Sequence, residues 1–78
     1  MNTEAAARDL EIFLLSPNIP KDGPCGKPHL VYMIEQISTN KDFSAGKKNR
    51  WLGFIQGALV ALNVCTLEEM KETNKNHI

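Results

Sequence analysis

Disulfide chemistry is nearly absent from this 78-residue chain, whose two cysteines, Cys25 and Cys65, are too few for a stapled framework. Long apolar runs are lacking too. The longest, Trp51 to Leu62, includes Gln56 and falls well short of the roughly 20 residues that a membrane span needs. No N-terminal stretch joins a basic segment to an apolar run and a small-residue cleavage site, so a reducing cytoplasm is the expected setting. Nor is there an excess of charge of one sign: nine Lys and Arg offset nine Asp and Glu. That balance speaks against a general nucleic-acid coat and against an acidic nucleic-acid mimic. Repeats and low-complexity tracts are missing, and aromatic residues are few: one Trp, one Tyr and three Phe.

A single core in a chain this short supplies a net stability of only about 3–5 kcal/mol, so further support is expected. With disulfides excluded, metal and self-association remain. Cys25 and His29 lie four apart, while Cys65 and His77 stand elsewhere, which is not the spacing of a zinc finger or ribbon. No metal and no other cofactor is expected, and association between copies becomes the expected support.

Periodicity predicts an all-α domain spanning residues 1–78. A first helix is expected over about 3–16, capped by Asn2 or Thr3, with Ala6, Leu10, Phe13 and Leu14 on one face and Pro17 ending it. Glu4 and Arg8, four apart, have the spacing of a modest surface ion pair. Residues 17–27, with Pro17, Pro20, Gly23, Pro24 and Gly26, read as an irregular loop, more in the manner of a flexible connector than of a functional element. A second helix is expected over about 28–39, opened by Pro28, with an apolar stripe of Leu30, Met33, Ile34 and Ile37.

The third helix, expected over about 44–63 from an N-cap at Ser44, is apolar nearly all round. Trp51, Ile55, Ala58 and Leu62 line one face, Phe54 and Leu59 flank it, and Gly53, Gly57 and Ala61 form a strip at four-residue spacing. Short neighbours can hardly cover such a helix, which predicts a homo-oligomer. The glycine strip fits either close packing against the second helix or a contact between subunits, since each Gly weakens a helix by about 1 kcal/mol relative to Ala. Thr66-Leu67-Glu68-Glu69 is a capping box, with Cys65 and Met70 at staple positions. It predicts a last helix over about 66–73, followed by a fraying tail.

Charge is uneven along the chain. Met1 to Thr39 carries three basic and five acidic residues, whereas Asn40 to Ile78 carries six basic and four acidic. Lys47, Lys48 and Arg50 stand in the first turns of the third helix, where the backbone dipole disfavours cations. With adjacent Trp51, and with Tyr32 if the second and third helices form an antiparallel hairpin, they make a candidate ligand site for a phosphate with a base stacked beside it. The plainer account leaves these cations in solvent or paired with Asp42 or Glu35, and Trp51 in the core.

Enzymatic signatures are lacking. Ser44-Ala45-Gly46-Lys47-Lys48 has only the superficial look of a phosphate loop: the upstream glycine, the preceding strand and the Ser or Thr after Lys are all missing. No cysteine pairs with a histidine in a catalytic arrangement, and no two carboxylates stand out as acid and base. The expectation is a non-enzymatic binding protein. Zero net charge and an apolar third helix also leave little recognition surface for duplex DNA.

Lys48-Asn49-Arg50-Trp51-Leu52-Gly53-Phe54-Ile55-Gln56-Gly57, followed by Thr66-Leu67-Glu68-Glu69-Met70, resembles small accessory proteins of tailed bacteriophages, which carry a similar Arg-Trp-Leu-Gly and Gln-Gly helix before a capping-box helix. The resemblance covers about the last third of the chain and brings no established activity with it. It implies a virus protein made inside a bacterial host. At the level of class alone (length, helicity and association), the chain also resembles helical sponge proteins that sequester cyclic oligonucleotide signals in counter-defence. The function this implies is sequestration of an anionic nucleotide-type ligand. The alternative is an interaction module that inhibits or adapts a host or phage protein.

Overall fold

The computed structural model describes residues 1–78 and is all-helical, with no strand. Four α-helices follow one another: α1 (Thr3–Asp9), α2 (Lys27–Thr39), α3 (Ala45–Ala61) and α4 (Leu67–Lys75), with a 3-10 segment over Leu10–Leu15 after α1. α1, α2 and α3 all pack on one another, and α4 closes against α1 and α3.

The expected first helix divides at Leu10. Its inward residues are as expected, with Ala6, Leu10 and Leu14 buried and Phe13 packed on the core edge. The winding differs because a repeat of 3.0 and one of 3.6 separate by only about 100° over six residues, too little for an apolar pattern to distinguish. Three residues per turn also brings Ile12 and Leu15 onto one outward line, where both are largely exposed. Ser16 leaves the helix with extended backbone, as the residue before a proline does.

The expected loop ends one residue early, at Gly26, and it is anchored at several points. Ile19 plugs into the core, the Lys27 N–H donates to the Pro20 carbonyl at 3.0 Å, and the Gly26 N–H donates to the Gly23 carbonyl at 3.0 Å. A Cβ on Gly26 would run into the Asp22 backbone, so this return of the chain requires glycine. α2 opens one residue earlier than expected, making Pro28 its second residue. Its stripe of Leu30, Met33, Ile34 and Ile37 is buried as the spacing predicts.

Both ends of α3 follow sequence signals. The Ser44 hydroxyl accepts from the Lys47 N–H at 3.1 Å. At the far end Asn63 takes a left-handed φ of 59°, the Val64 N–H donates to the Leu59 carbonyl at 2.9 Å, and the Asn63 N–H donates to the Val60 carbonyl at 3.1 Å. Those two bonds make a Schellman stop, and Val64 packs on the core cluster that contains Leu59. The capping box of α4 is complete in both directions between Thr66 and Glu69, with Cys65 and Met70 buried as its staple.

α4 continues to Lys75, and the tail after it is tied down rather than frayed. Gln56 and Asn74 exchange two side-chain hydrogen bonds, at 2.7 and 3.2 Å. His77 Nε2 lies 2.6 Å from the Asp9 carboxylate, and the Asn2 N–H donates to the His77 carbonyl. Exposed ends usually detach because little holds them, but here both termini meet on α1.

One core joins every element: Leu10 and Leu14, Ile19, the α2 stripe, Leu52, Ile55 and Leu59 of α3, then Cys65 and Met70. The inward face of α3 is therefore set by Leu52, Ile55, Ala58 and Leu59, and its centre lies about an eighth of a turn from the expected Trp51–Ile55–Ala58–Leu62 line, with Ile55 and Ala58 common to both. Gly53, Gly57 and Ala61 face solvent. A Cβ on Gly53 or Gly57 would meet nothing within 4 Å, so close packing against α2 is not the reason for these glycines.

Candidate functional site

Of the five residues expected to form a ligand site, the fold brings three together. α2 and α3 pack as neighbours and set the Tyr32 ring 6.3 Å from that of Trp51, tilted by 47°. Lys47 stands one turn before Trp51 on α3, with its ammonium 5.4 Å from the Trp51 ring centroid and 4.0 Å from that of Phe43. No carboxylate lies within ion-pair distance of it. Its positive charge is set against ring faces instead.

The other two cations leave the cluster. Lys48 turns to α1, where its ammonium meets the Glu4 carboxylate at 3.0 Å and only 14% of its side chain stays exposed. Along a helix, adjacent residues point about 100° apart, so Lys47 and Lys48 cannot serve one site. Bonding from Lys48 holds the Glu4 carboxyl below its usual range. Arg50 folds back beside Gly46, 3.5 Å from where a Cβ there would stand, and makes no cation–π contact with Trp51. Neither Asp42 nor Glu35 takes up these cations. Glu35 instead pairs with Arg8, at 3.3 Å, and Arg8 also holds Glu11 at 2.7 Å, replacing the expected Glu4–Arg8 pair. Those two hydrogen bonds raise the Arg8 pKa.

Two rings not expected at the site complete it. Phe43 packs edge-on to Trp51 at 4.8 Å, and His29 stacks on Tyr32 at 6.2 Å. Phe43 precedes the N-cap of α3, so helical periodicity could not connect it with Trp51. The signal was its eight-residue distance from Trp51 through Lys47, which a helix would make a column but the chain achieves with a turn. Trp51 itself is half-buried, neither core nor a fully open platform.

Beside Trp51 lies an open cleft of about 440 Å³ lined by Pro24, His29, Met33, Trp51 and Phe54. Lys47, Trp51 and Phe54 follow one another at i, i+4 and i+7, so the cation and the cleft share one side of α3. A second cleft, of about 400 Å³, runs between α3 and α4 over Gly53, Gly57, Ala61 and Leu67.

No three His, Cys, Asp or Glu side chains converge in a way that could hold a metal ion. Burial pushes the Cys65 thiol up, with the Glu69 carboxylate adding to it, which is the opposite of what a nucleophilic cysteine needs. No helix is long and apolar enough to cross a membrane. No family model, curated protein or solved structure matches the chain.

Proposed function

We propose that this chain is a non-enzymatic, homo-oligomeric binding protein whose copies join through the outward face of α3 and whose Tyr32–Trp51–Lys47 surface receives the bound molecule. The outward face of α3 carries this proposal. No charged residue occurs between Arg50 and Glu68, yet Gly53, Phe54, Gly57 and Ala61 all face solvent, with Phe54 42% exposed. A solvated helix face normally carries charged or polar residues. Two exposed glycines weaken α3 by about 2 kcal/mol together relative to alanine, and no neighbour within the chain makes use of their small size. A second helix approaching from outside would.

Sedimentation of the wild type against Gly57→Lys tests this. The account expects a concentration-dependent dimer or larger species that the lysine abolishes while the circular dichroism spectrum is kept. A wild type that stays monomeric at submillimolar concentration refutes it.

A different protein, from the host or the phage, is the second candidate for a partner, and exposed apolar side chains outside α3 favour it. Ile12, Leu15 and Val31 are 69%, 75% and 44% exposed, on elements other than α3. A contact through α3 alone leaves them uncovered. A mixed complex that survives Gly57→Lys but is lost in Leu15→Lys would assign Leu15 to the partner's contact.

A further inference from the structure

The cleft beside Trp51 and the unpaired Lys47 together select a class of small molecule. We infer that this site binds a planar ring carrying an anionic group, with the ring in the cleft and the anion at the Lys47 ammonium. This rests on the Tyr32–Trp51–Lys47 surface being the binding surface; because Phe54 belongs both to the cleft and to the outward face of α3, binding is measured on associating and monomeric protein separately.

The cleft, about 440 Å³, is open and similar in volume to two others on the surface, and what sets it apart is its lining of mostly apolar side chains, two of them aromatic, with a single polar ring, His29. Met33 is buried and Phe54 is 42% exposed, so the cleft is apolar in depth and open at its lip. A flat ring suits it. Aromatic faces attract other rings whatever their substituents, and stacking of a base on an aromatic side chain contributes about 1–3 kcal/mol. Tyr32, 51% exposed, extends the aromatic surface beyond the cleft.

The anion is specified by Lys47. Lys48 is committed to Glu4 and Arg8 to Glu11 and Glu35; Arg50 and Lys41 make no ion pair, but Lys47 is the one cation that stands over the Trp51 ring. Lys47 has only ring faces as partners, and its flexible stem lets the ammonium swing toward an incoming oxyanion without breaking an ion pair.

Trp51 is the only tryptophan and reports directly from the site. Its fluorescence is followed while the full-length protein is titrated with adenosine monophosphate, adenosine, inorganic phosphate and a short single-stranded oligonucleotide. Each probe is applied to the wild type and to Lys47→Ala, Tyr32→Ala and Lys41→Ala. The expected result is saturable quenching by the monophosphate, at least fivefold weaker binding of adenosine, and no response to phosphate. Lys47→Ala should weaken the monophosphate at least fivefold and leave adenosine unchanged, Tyr32→Ala should weaken both, and Lys41→Ala neither. Absence of saturation, equal binding of monophosphate and adenosine, a response to phosphate alone, or indifference to Lys47→Ala each overturns the inference. So does oligonucleotide binding that is much tighter than the monophosphate and falls steeply with salt, which would make the surface a nucleic-acid groove. Repeating the titration on Gly57→Lys separates the two proposals: a shelf that still binds as a monomer leaves the ligand assignment standing even where association fails.

Discussion

At the scale of single residues, Asn63 shows how a backbone requirement selects a side chain. Its φ of 59° lies in the left-handed region, where a Cβ costs most residues about 1–2 kcal/mol and asparagine is among the few tolerated. Asn63→Val should therefore lower stability by about that amount in a denaturant melt, while Asn63→Gly should match or exceed the wild type. A reversed order would mean that the left-handed φ is not what selects the residue at this position. Glu4 is the second instance. Lys48 holds its folded pKa below the unfolded value, so the carboxylate's contribution is present above the unfolded pKa and lost as pH falls through the folded one. Its side chain is 47% exposed, so solvent screening keeps the effect below about 1 kcal/mol. Acid melts of the wild type and Glu4→Gln should differ near neutral pH and converge as pH falls through the lowered folded pKa. A gap that persists in acid would assign the difference to packing. The sequence contained the charges but not their partners, because Lys48 and Glu4 are 44 positions apart and only the α1–α3 contact brings them together.

Elements were legible where their signals are local. The Thr66–Glu69 box, the Ser44 cap and the Leu30–Ile37 stripe are decided by residues within one or two turns, and all three hold. The orientation of α3 was not legible, because a helix apolar nearly all round offers no phase: Trp51 and Leu52 are both credible inward residues until the neighbours are placed. The loop before α2 was legible as a loop, but its contacts were not: proline and glycine mark a loop without stating what it packs on, and here Ile19 enters the core and Gly26 passes tightly over Asp22. Gly26→Ala should consequently destabilise the protein by roughly 1–3 kcal/mol and raise the rate of amide exchange in the loop. An alanine tolerated without loss would show that the loop has room to shift.

For the whole molecule, burial is uneven in an informative way. Every element contributes to one core, and His77 is held by Asn2 and Asp9 at the two ends of α1. What the chain leaves uncovered includes an uncharged face of α3, the aromatic shelf of Tyr32 and Trp51 next to it, and Ile12, Leu15 and Val31 elsewhere. The expected surplus of apolar surface on this helix is therefore real but smaller than its composition implied, since Leu52, Ile55, Ala58 and Leu59 are sheltered within the chain. The surplus is confined to Gly53, Phe54, Gly57 and Ala61, and the shelf of Tyr32, Trp51 and Lys47 flanks it. Sedimentation velocity across a wide concentration range, on the wild type and Gly57→Lys side by side, addresses this division most directly. The account predicts an associating wild type and a folded, monomeric lysine variant; identical monomeric profiles for the two would contradict it.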